Sequence, residues 1–402
     1  MMHISDRIAH ISASPTLAMA AKAAAMKAAG VNILSMSLGE PDFATPDHVK
    51  QALHKAIDAD RSHYGPVPGI PQLRAAAARF MSVHQSDAAD QFAAEDIIVS
   101  VGAKQSICNA IETLVGPGDE VILPTPCWVS YGEMVKLAQG TPVYVRTRME
   151  DDFILRPEDL ESAITPRTRL LVICTPNNPT GTVYSREAIA ALAQVLARHP
   201  EVAIIADEIY NRICYDGACA SWAEHTELLD RLIIVNGVSK AFAMTGYRIG
   251  WLACKDREFI KACTRLQGQQ ITCATMVAQY AAAEALEGDM SCVQAMTDAF
   301  RRRRDLIVSL AREIPGWQIR VPKGAFYLFP EVTALFGKRT PKGDVIHNAD
   351  ELCEYLLTEG LVACVSGSAF GEDTCIRISY ACSEQQITTA MERIRKAVEQ
   401  LM

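Results

Sequence analysis

The sequence predicts an α/β protein, with a mostly parallel seven-stranded sheet between helices and a smaller α+β domain. Short runs rich in β-branched residues alternate with helical stretches between Asp96 and Cys254, and these runs are apolar on both faces. After Asp256 the pattern changes to long helices and short strand-like segments. The runs are IIVSV, EVILP, TPVYV, RLLVIC, VAIIAD, RLIIVNG and RIGWLAC.

Three helices are predicted before the first strand, because each begins at a proline, a residue favoured in the first helical turn. Ser14 and Thr45 are the predicted N-caps of the first two helices, and Gly30 ends the first. The helices run from Pro15 to Gly30, from Pro46 to about Asp60, and from Pro71 through QLRAAAARFMSVH. The turn-rich loop HYGPVPG lies between the second and the third.

The C-terminal part is predicted to mix helices and strands. One long helical stretch ends near Gly288 and a second carries RRRRDLIVSLAREI. We interpret Arg301–Arg304 as a solvated or salt-bridged surface, because four successive helical residues point in different directions. The remaining predicted elements are the strands WQIRV, AFYLFP and CIRISYA, a helix at about Asn348–Glu359 and a final amphipathic helix ending at Met402.

The composition excludes several classes of protein. The chain has 402 residues, 49% of them hydrophobic and 21% charged, so a disordered or fibrous protein is excluded. With 39 basic against 47 acidic residues, the net charge of -8 argues against nucleic acid or anionic membrane as partners. No apolar stretch approaches the roughly 20 residues of a membrane helix, and the N-terminus lacks the apolar core of a signal peptide. We therefore expect a cytoplasmic protein.

The cysteines and histidines do not indicate disulfides or metal. Thirteen cysteines are scattered through apolar runs such as LLVIC and GWLAC, and most are expected to be buried thiols. The nine histidines are dispersed, and neither CxxC nor HExxH occurs. No metal site is expected.

The most informative segment is GVSKAFAMTGYRIG, residues 237–250. It places Lys240 just beyond a strand among small residues, where an amine can be partly desolvated and can form a Schiff base. The segment resembles the lysine signature of the class I and II aminotransferases, which have the pyridoxal-phosphate fold type I. The resemblance implies that Lys240 carries pyridoxal 5'-phosphate covalently and that Arg248 binds the phosphate group through its planar guanidinium.

A second motif lies in VAIIADEIY, residues 202–210. Asp207 ends an apolar strand, where an unpaired carboxylate is costly, so it should have a cationic partner. A bare strand-end aspartate is also a common turn or cap residue. The resemblance implies that Asp207 pairs with the protonated ring nitrogen of the cofactor and that Tyr210 donates to the phenolic oxygen of the ring.

Two further motifs match the family. In PNNPTG, turn chemistry alone explains the composition, and the resemblance assigns Asn178 to the ring oxygen and the substrate carboxylate. In SVGAKQ, a strand leads into a helix, and backbone N–H groups at a helix start suit a phosphate. The resemblance implies that Ala103 and Lys104 supply those groups, and that Trp128 stacks on the ring instead of being a core tryptophan.

Substrate recognition needs a fixed cation, and Arg377 in the apolar run TCIRISYA is the candidate, unless it faces water at a sheet edge. In the family this arginine binds the substrate α-carboxylate. By the same resemblance Gly39, in SLGEPDF, approaches that carboxylate through its backbone. Tyr64, in HYGPVPG, matches a tyrosine that reaches the phosphate of the neighbouring subunit, which implies a homodimer with shared sites.

The resemblance also implies a domain organisation. Residues 1–45 are expected to form an N-terminal arm and part of the small domain, residues 46–287 the large cofactor-binding domain, and residues 288–402 the small C-terminal domain. One position departs from the family. Residue 237, often a phosphate-binding serine or threonine, is glycine here, and Ser239 is the candidate substitute.

The implied activity is transamination from an L-amino acid to 2-oxoglutarate through pyridoxamine phosphate. TLAMAAKA, SLGEPDF, CWVSYGEMV and SKAFAMTGYRIG are most similar to bacterial aspartate aminotransferases, and the side chain of Lys104 could pair with the distal carboxylate of aspartate or remain a solvated lysine. Aspartate is therefore the predicted donor. Aromatic, prephenate or broad specificity is the alternative. The scaffold also occurs in carbon-sulfur β-lyases, in cyclopropane-forming synthases and in the sensor half of transcription regulators.

Overall fold

The structure is a computed structural model of the chain and describes residues 2–82 and 91–402. Val83 and His84, the end of the third predicted helix, lie outside the described residues. The strands are β1 Leu34–Ser35, β2 Ile97–Ser100, β3 Glu120–Thr125, β4 Thr141–Arg146, β5 Thr168–Cys174, β6 Ala203–Asp207, β7 Leu232–Gly237, β8 Gly250–Ala253, β9 Tyr327–Leu328, β10 Val362–Ala363, β11 Val365–Ser366 and β12 Ile376–Ser379.

Each of the seven apolar runs forms a strand of one sheet, in the order β2-β8-β7-β6-β5-β3-β4. The pairs β3·β4, β3·β5, β5·β6 and β6·β7 are parallel, whereas β8 is antiparallel to both β7 and β2. Six strands therefore point the same way, and their carboxyl ends lie at one edge. Two separate apolar clusters cover the two faces of the sheet, which explains why the runs are apolar without alternation.

Helices pack on both faces of this sheet. Helix α5 packs on β2, β7 and β8 on one face, and α11 packs on α3 and α4 on the other side of the molecule. The helices are α1 Asp6–Ala9, α2 Pro15–Ala28, α3 Asp47–Asp58, α4 Pro71–Ser82, α5 Ala103–Leu114, α6 Ser130–Leu137, α7 Pro157–Ala163, α8 Arg186–Leu196, α9 Val238–Ala241, α10 Arg257–Gln270, α11 Met276–Glu287, α12 Ser291–Ala311, α13 Ala349–Thr358 and α14 Glu384–Glu399.

Short strands connect the two ends of the chain. Strand β1 pairs in parallel with β10, so the segment before α3 packs with the C-terminal elements. Strands β11, β12 and β9 form an antiparallel sheet in that order. These short sheets and the helices around them are consistent with the predicted smaller α+β unit that includes the N-terminal segment. The exact domain boundaries stay a prediction. Within the described residues no helix is long and apolar enough to cross a membrane.

Several predicted elements differ from the observed ones. The stretch ending near Gly288 is two helices, α10 and α11, because the chain turns at Thr272, whose φ of 66° is not helical. The run WQIRV contributes only an isolated bridge from Gln318 to Glu331. Thr45 does not cap α3, since its hydroxyl donates to the carbonyl of Ala243 at 3.2 Å. Ser14 is the N-cap residue of α2, as predicted, but its hydroxyl forms no hydrogen bond to the backbone of that helix.

Every arginine of the run 301–304 forms an ion pair, which agrees with the predicted salt-bridged surface, but two of the four side chains are largely buried. The side chains of Arg303 and Arg304 are 11% and 10% exposed. Arg303 donates two hydrogen bonds to the carboxylate of Asp42, at 2.6 and 3.0 Å, and Arg304 donates to the carbonyl of Pro322 at 2.9 Å. The run is therefore salt-bridged but not solvated throughout, because α12 packs against α14 and β9.

The cysteines agree with the prediction except for one pair. Cys214 and Cys219 are joined by a disulfide. The other eleven are free thiols, and most of these are buried. Spacing along the sequence did not identify this pair, because it bridges a short irregular segment after β6.

Candidate active site

The predicted site residues converge on one cavity of about 390 Å³ at the carboxyl edge of the main sheet. Its walls come from the segments that follow β2, β3, β5, β6 and β7, together with the loop before α3 and parts of β9 and β12. Every predicted site residue except Tyr64 lines it: Gly39, Ala103, Lys104, Trp128, Asn178, Asp207, Tyr210, Ser239, Lys240, Arg248 and Arg377. Tyr64 is 90% exposed on the surface of this chain.

Lys240 lies in the short helix α9, directly after β7, and its amine is enclosed by the cavity walls. Nζ donates to the carbonyl of Gly39 and lies 5.8 Å from the ring centres of both Tyr210 and Phe326. Burial lowers the pKa of this amine from its ordinary value of 10.5 to about 8, opposed in part by the carboxylate of Glu40. A larger fraction of Lys240 than of a solvated lysine is therefore neutral and nucleophilic near neutral pH.

This pKa gives the first testable prediction, for the protein without cofactor. Reductive methylation of Lys240 with formaldehyde should rise with pH and level off above a midpoint near 8, because only the neutral amine attacks an aldehyde. Peptide mass spectrometry across the pH range measures the labelling, with the exposed Lys261 as the internal reference. If labelling of Lys240 instead rose without a plateau up to pH 10, burial would not control this amine.

Asp207 ends β6 and is 4% exposed. Its Oδ2 accepts a hydrogen bond from the hydroxyl of Tyr131 at 2.7 Å, and its Oδ1 accepts one from the backbone N–H of Ile209 at 3.2 Å. Burial raises the pKa of this carboxyl, and the two donors oppose that rise. Across the described residues Asp207 forms no ion pair with a lysine, arginine or histidine, so the cationic partner expected from the sequence is not a protein side chain there.

Arg377, in β12, is 3% exposed and faces the cavity from the opposite side. Nη1 donates to Oδ1 of Asn178 at 2.9 Å, and Nη2 donates to the carbonyl of Ser37 at 2.6 Å. The guanidinium lies 4.7 Å from the ring centre of Tyr327. In the part of the chain that the structure describes, Arg377 has no carboxylate partner, and its Nε is buried without an acceptor. A buried guanidinium held only by neutral acceptors suits an incoming carboxylate.

Tyr210 and Asn178 line the same cavity as these two charged groups. The hydroxyl of Tyr210 is 2.9 Å from that of Tyr327, and Asn178 is 6% exposed beside Arg377. The turn TPNNPTG after β5 and the turn after β6 bring the two residues to the same edge, as the resemblance implied. Tyr327 was not among the predicted residues. Its only signal in the sequence was a tyrosine within the apolar run AFYLFP.

An anion site is formed where α5 begins. The first N–H groups of a helix have no partner inside it, so those of Ala103 and Lys104 are available at the cavity wall. Arg248 adjoins this helix start: its Nη1 donates to the carbonyl of Thr245 at 2.8 Å and its Nη2 to that of Val101 at 3.4 Å. The three residues thus bring a guanidinium and a helix N-terminus together.

Two cavity residues lie beside the mouth of the site. Nζ of Lys104 lies 4.8 Å from the ring centre of Trp128. Burial lowers the pKa of Lys104, and the nearby Arg248 lowers it further by a smaller amount.

Ser14 and Thr16, at the start of α2, also line the cavity, and their hydroxyls are 2.8 Å apart. The N-terminal segment therefore forms part of the wall, which the sequence did not indicate.

Close packing explains the glycines at two positions of the site. A side chain at Gly39 would overlap the hydroxyl of Tyr327, so the backbone carbonyl can reach Lys240 only because this residue is glycine. A Cβ at Gly237 would lie 2.9 Å from Cα of Gly250 and 3.0 Å from the carbonyl oxygen of Ile249. The serine or threonine found in the family at this position does not fit here. Ser239, which lines the cavity, is the hydroxyl that remains.

The arrangement has a definite chemical capacity. It combines a half-buried amine with a lowered pKa, a buried carboxylate, a buried guanidinium and an anion site, all within one cavity. An amine of this kind can attack a carbonyl carbon and can move a proton. The carboxylate and the guanidinium can hold a cationic ring nitrogen and a substrate carboxylate at fixed positions.

Comparison with known proteins agrees with this geometry. A sequence model of the family described as "Aminotransferase class I and II" matches residues 31–394. The aspartate/prephenate aminotransferase of Cereibacter sphaeroides is 42% identical over 397 residues, covering 98% of each chain. The bifunctional aspartate aminotransferase and glutamate/aspartate-prephenate aminotransferase of Petunia hybrida is 42% identical over 401 residues, covering 98% of this chain and 82% of the relative.

A solved structure supports the same assignment. The crystal structure of the aspartate aminotransferase from Rhizobium meliloti matches with a TM-score of 0.96 at 41% identity, and the match covers 100% of both chains. The predicted fold type I and the predicted family resemblance are both confirmed.

Proposed function

The chain belongs to the class I and II aminotransferases, and from that premise we propose that it transfers the amino group of L-aspartate to 2-oxoglutarate with bound pyridoxal 5'-phosphate. Family members use this cofactor to move amino groups between amino acids and 2-oxo acids. The observation that carries the proposal is the convergence of the half-buried Lys240 with the buried Asp207 and Arg377 on one cavity.

The residues of the cavity fit the cofactor. Asp207 is a buried carboxylate without a cationic protein partner in the described part of the chain, as a protonated ring nitrogen requires. Lys240 has the lowered pKa that attachment to an aldehyde requires. The helix start at Ala103 and Lys104, with Arg248 beside it, suits the phosphate group.

Other residues would complete the cofactor site. Tyr210 would donate to the ring oxygen, Asn178 would serve the same oxygen, Trp128 would cover a face of the ring, and Ser239 would replace the hydroxyl missing at Gly237. When bound, pyridoxal 5'-phosphate supplies a carbonyl carbon that accepts amino groups and a conjugated cationic ring that withdraws electrons from the substrate Cα.

In the proposed mechanism Lys240 moves the proton. The amine of Lys240, when it is free, would take the proton from the substrate Cα as a general base. Its pKa near 8 suits that role, because the neutral form is available while the protonated form can still return a proton. Asp207 would hold the ring nitrogen in its cationic form, in which the cofactor withdraws electrons from the substrate.

Arg377, Asn178 and Gly39 orient the substrate. The guanidinium receives the α-carboxylate, the amide of Asn178 fixes the plane of the guanidinium through its 2.9 Å bond, and the backbone of Gly39 borders the same space. With the carboxylate held by Arg377, the Cα–H bond rather than the Cα–carboxylate bond would be presented to Lys240. This alignment favours proton loss over decarboxylation.

The distal end of the substrate defines the donor. Lys104 brings a cation to the cavity near Trp128 and can pair with the side-chain carboxylate of aspartate or glutamate. The names of the relatives from Cereibacter sphaeroides and Petunia hybrida include aspartate, which supports the same donor. Both names also include prephenate, so prephenate is the second candidate, as an amino acceptor in place of 2-oxoglutarate.

The single-turnover reaction of the holoenzyme with one amino acid at a time tests the donor. Aspartate and glutamate should convert the bound cofactor to its amine form far faster than alanine or phenylalanine. In Lys104→Met, which keeps the aliphatic stem against Trp128, the rate constant at low substrate should fall roughly 30-fold for aspartate and change less than about twofold for alanine. The cofactor absorbance in a stopped-flow experiment measures both.

The outcomes separate the alternatives. Faster conversion by an aromatic or small neutral donor would leave the family standing and remove aspartate as the substrate. Bound cofactor that no amino acid converts to the amine form would point to a lyase, a cyclopropane-forming synthase or a sensor. The variant Lys261→Ala, which removes an exposed lysine paired with Glu258, controls for a general effect of charge.

We also propose a homodimer in the cytoplasm. Tyr64 is 90% exposed and does not line the cavity of its own chain, so a role at the phosphate requires that it reach the site of a partner subunit. The exposed apolar side chains of Leu17 and Leu38 line the same cavity, and a second subunit would cover them there. The substrates are small amino and 2-oxo acids, and nucleic acid and membrane have no part in the proposal.

A further inference from the structure

Tyr131 is a buried polar residue of the cavity that the proposed mechanism does not use. It lies near the start of α6, is 1% exposed and packs edge to face against Trp128, with ring centres 5.4 Å apart. Its hydroxyl is 2.7 Å from Oδ2 of Asp207. Residues 131 and 207 are distant in the sequence and meet only because β3 and β6 end at the same edge of the sheet.

The direction of this hydrogen bond is defined by the chemistry of its partners. An ionised carboxylate can only accept, so the hydroxyl of Tyr131 donates. Burial and the adjacent Asp207 raise the pKa of Tyr131 well above its ordinary value, so the hydroxyl stays protonated at any pH at which the protein works. Tyr131 is therefore a permanent neutral donor to Asp207.

The bond has two consequences for Asp207. Burial raises the pKa of this carboxyl, and the bond from Tyr131 is the largest effect that lowers it again, ahead of the bond from the N–H of Ile209. The two donors also hold one carboxylate oxygen each, which fixes the plane of the group. Each oxygen keeps a second lone pair that can accept another hydrogen bond from the cavity side.

We propose that Tyr131 is a positioning residue, which keeps Asp207 ionised and aimed into the cavity so that it can bind a cationic aromatic N–H. This inference rests on the proposed function, since the N–H is the ring nitrogen of pyridoxal 5'-phosphate. Tyr131 does not touch the reacting atoms in this role. It acts through Asp207, and its effect should appear only in ligands that carry the ring nitrogen.

The test compares the affinity of the cofactor-free protein for two ligands. One is pyridoxal 5'-phosphate, and the other is its carbon analogue, in which C–H replaces the ring nitrogen. Tyr131→Phe keeps the ring packed against Trp128 and removes only the hydroxyl. We expect it to weaken binding of pyridoxal 5'-phosphate roughly tenfold, as for loss of one hydrogen bond to a charged group, and binding of the analogue less than twofold.

A double-mutant cycle with Asp207→Asn tests the route of the effect. If Tyr131 acts through Asp207, adding Tyr131→Phe to Asp207→Asn should change the affinity for pyridoxal 5'-phosphate less than twofold. The matched control is Tyr355→Phe, which removes another buried hydroxyl whose single hydrogen bond goes to the carbonyl of Ala397 at 2.8 Å. Its thermal unfolding shows what loss of such a bond does to the fold alone.

Each result supports or overturns the inference. A tenfold loss confined to the nitrogen-containing ligand, and abolished in the Asp207→Asn background, supports it. Equal weakening of both ligands would show that Tyr131 has only a structural role, and unchanged affinity for both would show that it has none. If the unaltered protein bound neither ligand, the proposed function itself would fail, which is a different result from a failure of Tyr131.

Discussion

Replacing Lys240 with alanine is expected to abolish transamination, with a loss of about 10⁴-fold or more in turnover, while pyridoxal 5'-phosphate still binds. The loss is large because, in the proposed mechanism, one amine would both attach the cofactor and move the Cα proton. Binding should survive because, in the proposed site, Asp207, Arg248 and the start of α5 would hold the cofactor independently of this lysine.

Steady-state assays with aspartate and 2-oxoglutarate measure the turnover, and absorbance after desalting measures the retained cofactor. Lys261→Ala, at a side chain that is 65% exposed, is expected to behave like the unaltered enzyme. Appreciable transamination by Lys240→Ala would contradict the assignment of Lys240. Loss of the cofactor together with the activity would instead assign this lysine a larger share of cofactor binding than we propose.

Replacing Arg377 with leucine is expected to lower kcat/KM for every amino acid donor by roughly 10³-fold. The side chain is buried and offers two donors in a rigid plane, and its removal leaves Oδ1 of Asn178 and the carbonyl of Ser37 without their partner. Because the α-carboxylate is common to all donors, aspartate and alanine should lose the same factor. This uniform loss distinguishes Arg377 from Lys104, whose effect is confined to dicarboxylic donors.

The conservative variant Arg377→Lys refines this prediction. Lysine keeps the charge but loses the planar fork, so it should recover only a small part of the activity. Single-turnover rates with aspartate and with alanine measure both variants, and circular dichroism checks that each is folded. A loss seen with aspartate but absent with alanine would place Arg377 at the distal carboxylate and overturn its proposed role.

Much of the fold was predictable because the relevant signals are local. Seven apolar runs predicted the seven strands of the main sheet, since strands buried on both faces have no need to alternate. Helix starts at Pro15 and Pro71 were predicted from single residues. Local signals were insufficient where the chain turns inside a helical pattern, as at Thr272, because nothing in the composition of residues 257–288 marks the break.

The arginine run shows why burial could not be predicted in the same way. The sequence places Arg301 to Arg304 on consecutive positions of α12, and exposure then depends on what packs around the helix. Arg303 is buried because the loop that carries Asp42 folds back on α12 from far away in the sequence. No periodicity within the helix contains that information.

The sequence by itself determined the family, the strand pattern and the residues able to do the chemistry, because each depends on residue type and short-range spacing. Tertiary structure alone decided their environment: the lowered pKa of Lys240, the neutral acceptors around Arg377 and the bond from Tyr131 to Asp207. These properties depend on burial and on contacts between distant segments. They arise only when parallel strands bring their carboxyl ends, and the residues that follow them, to one edge of the sheet.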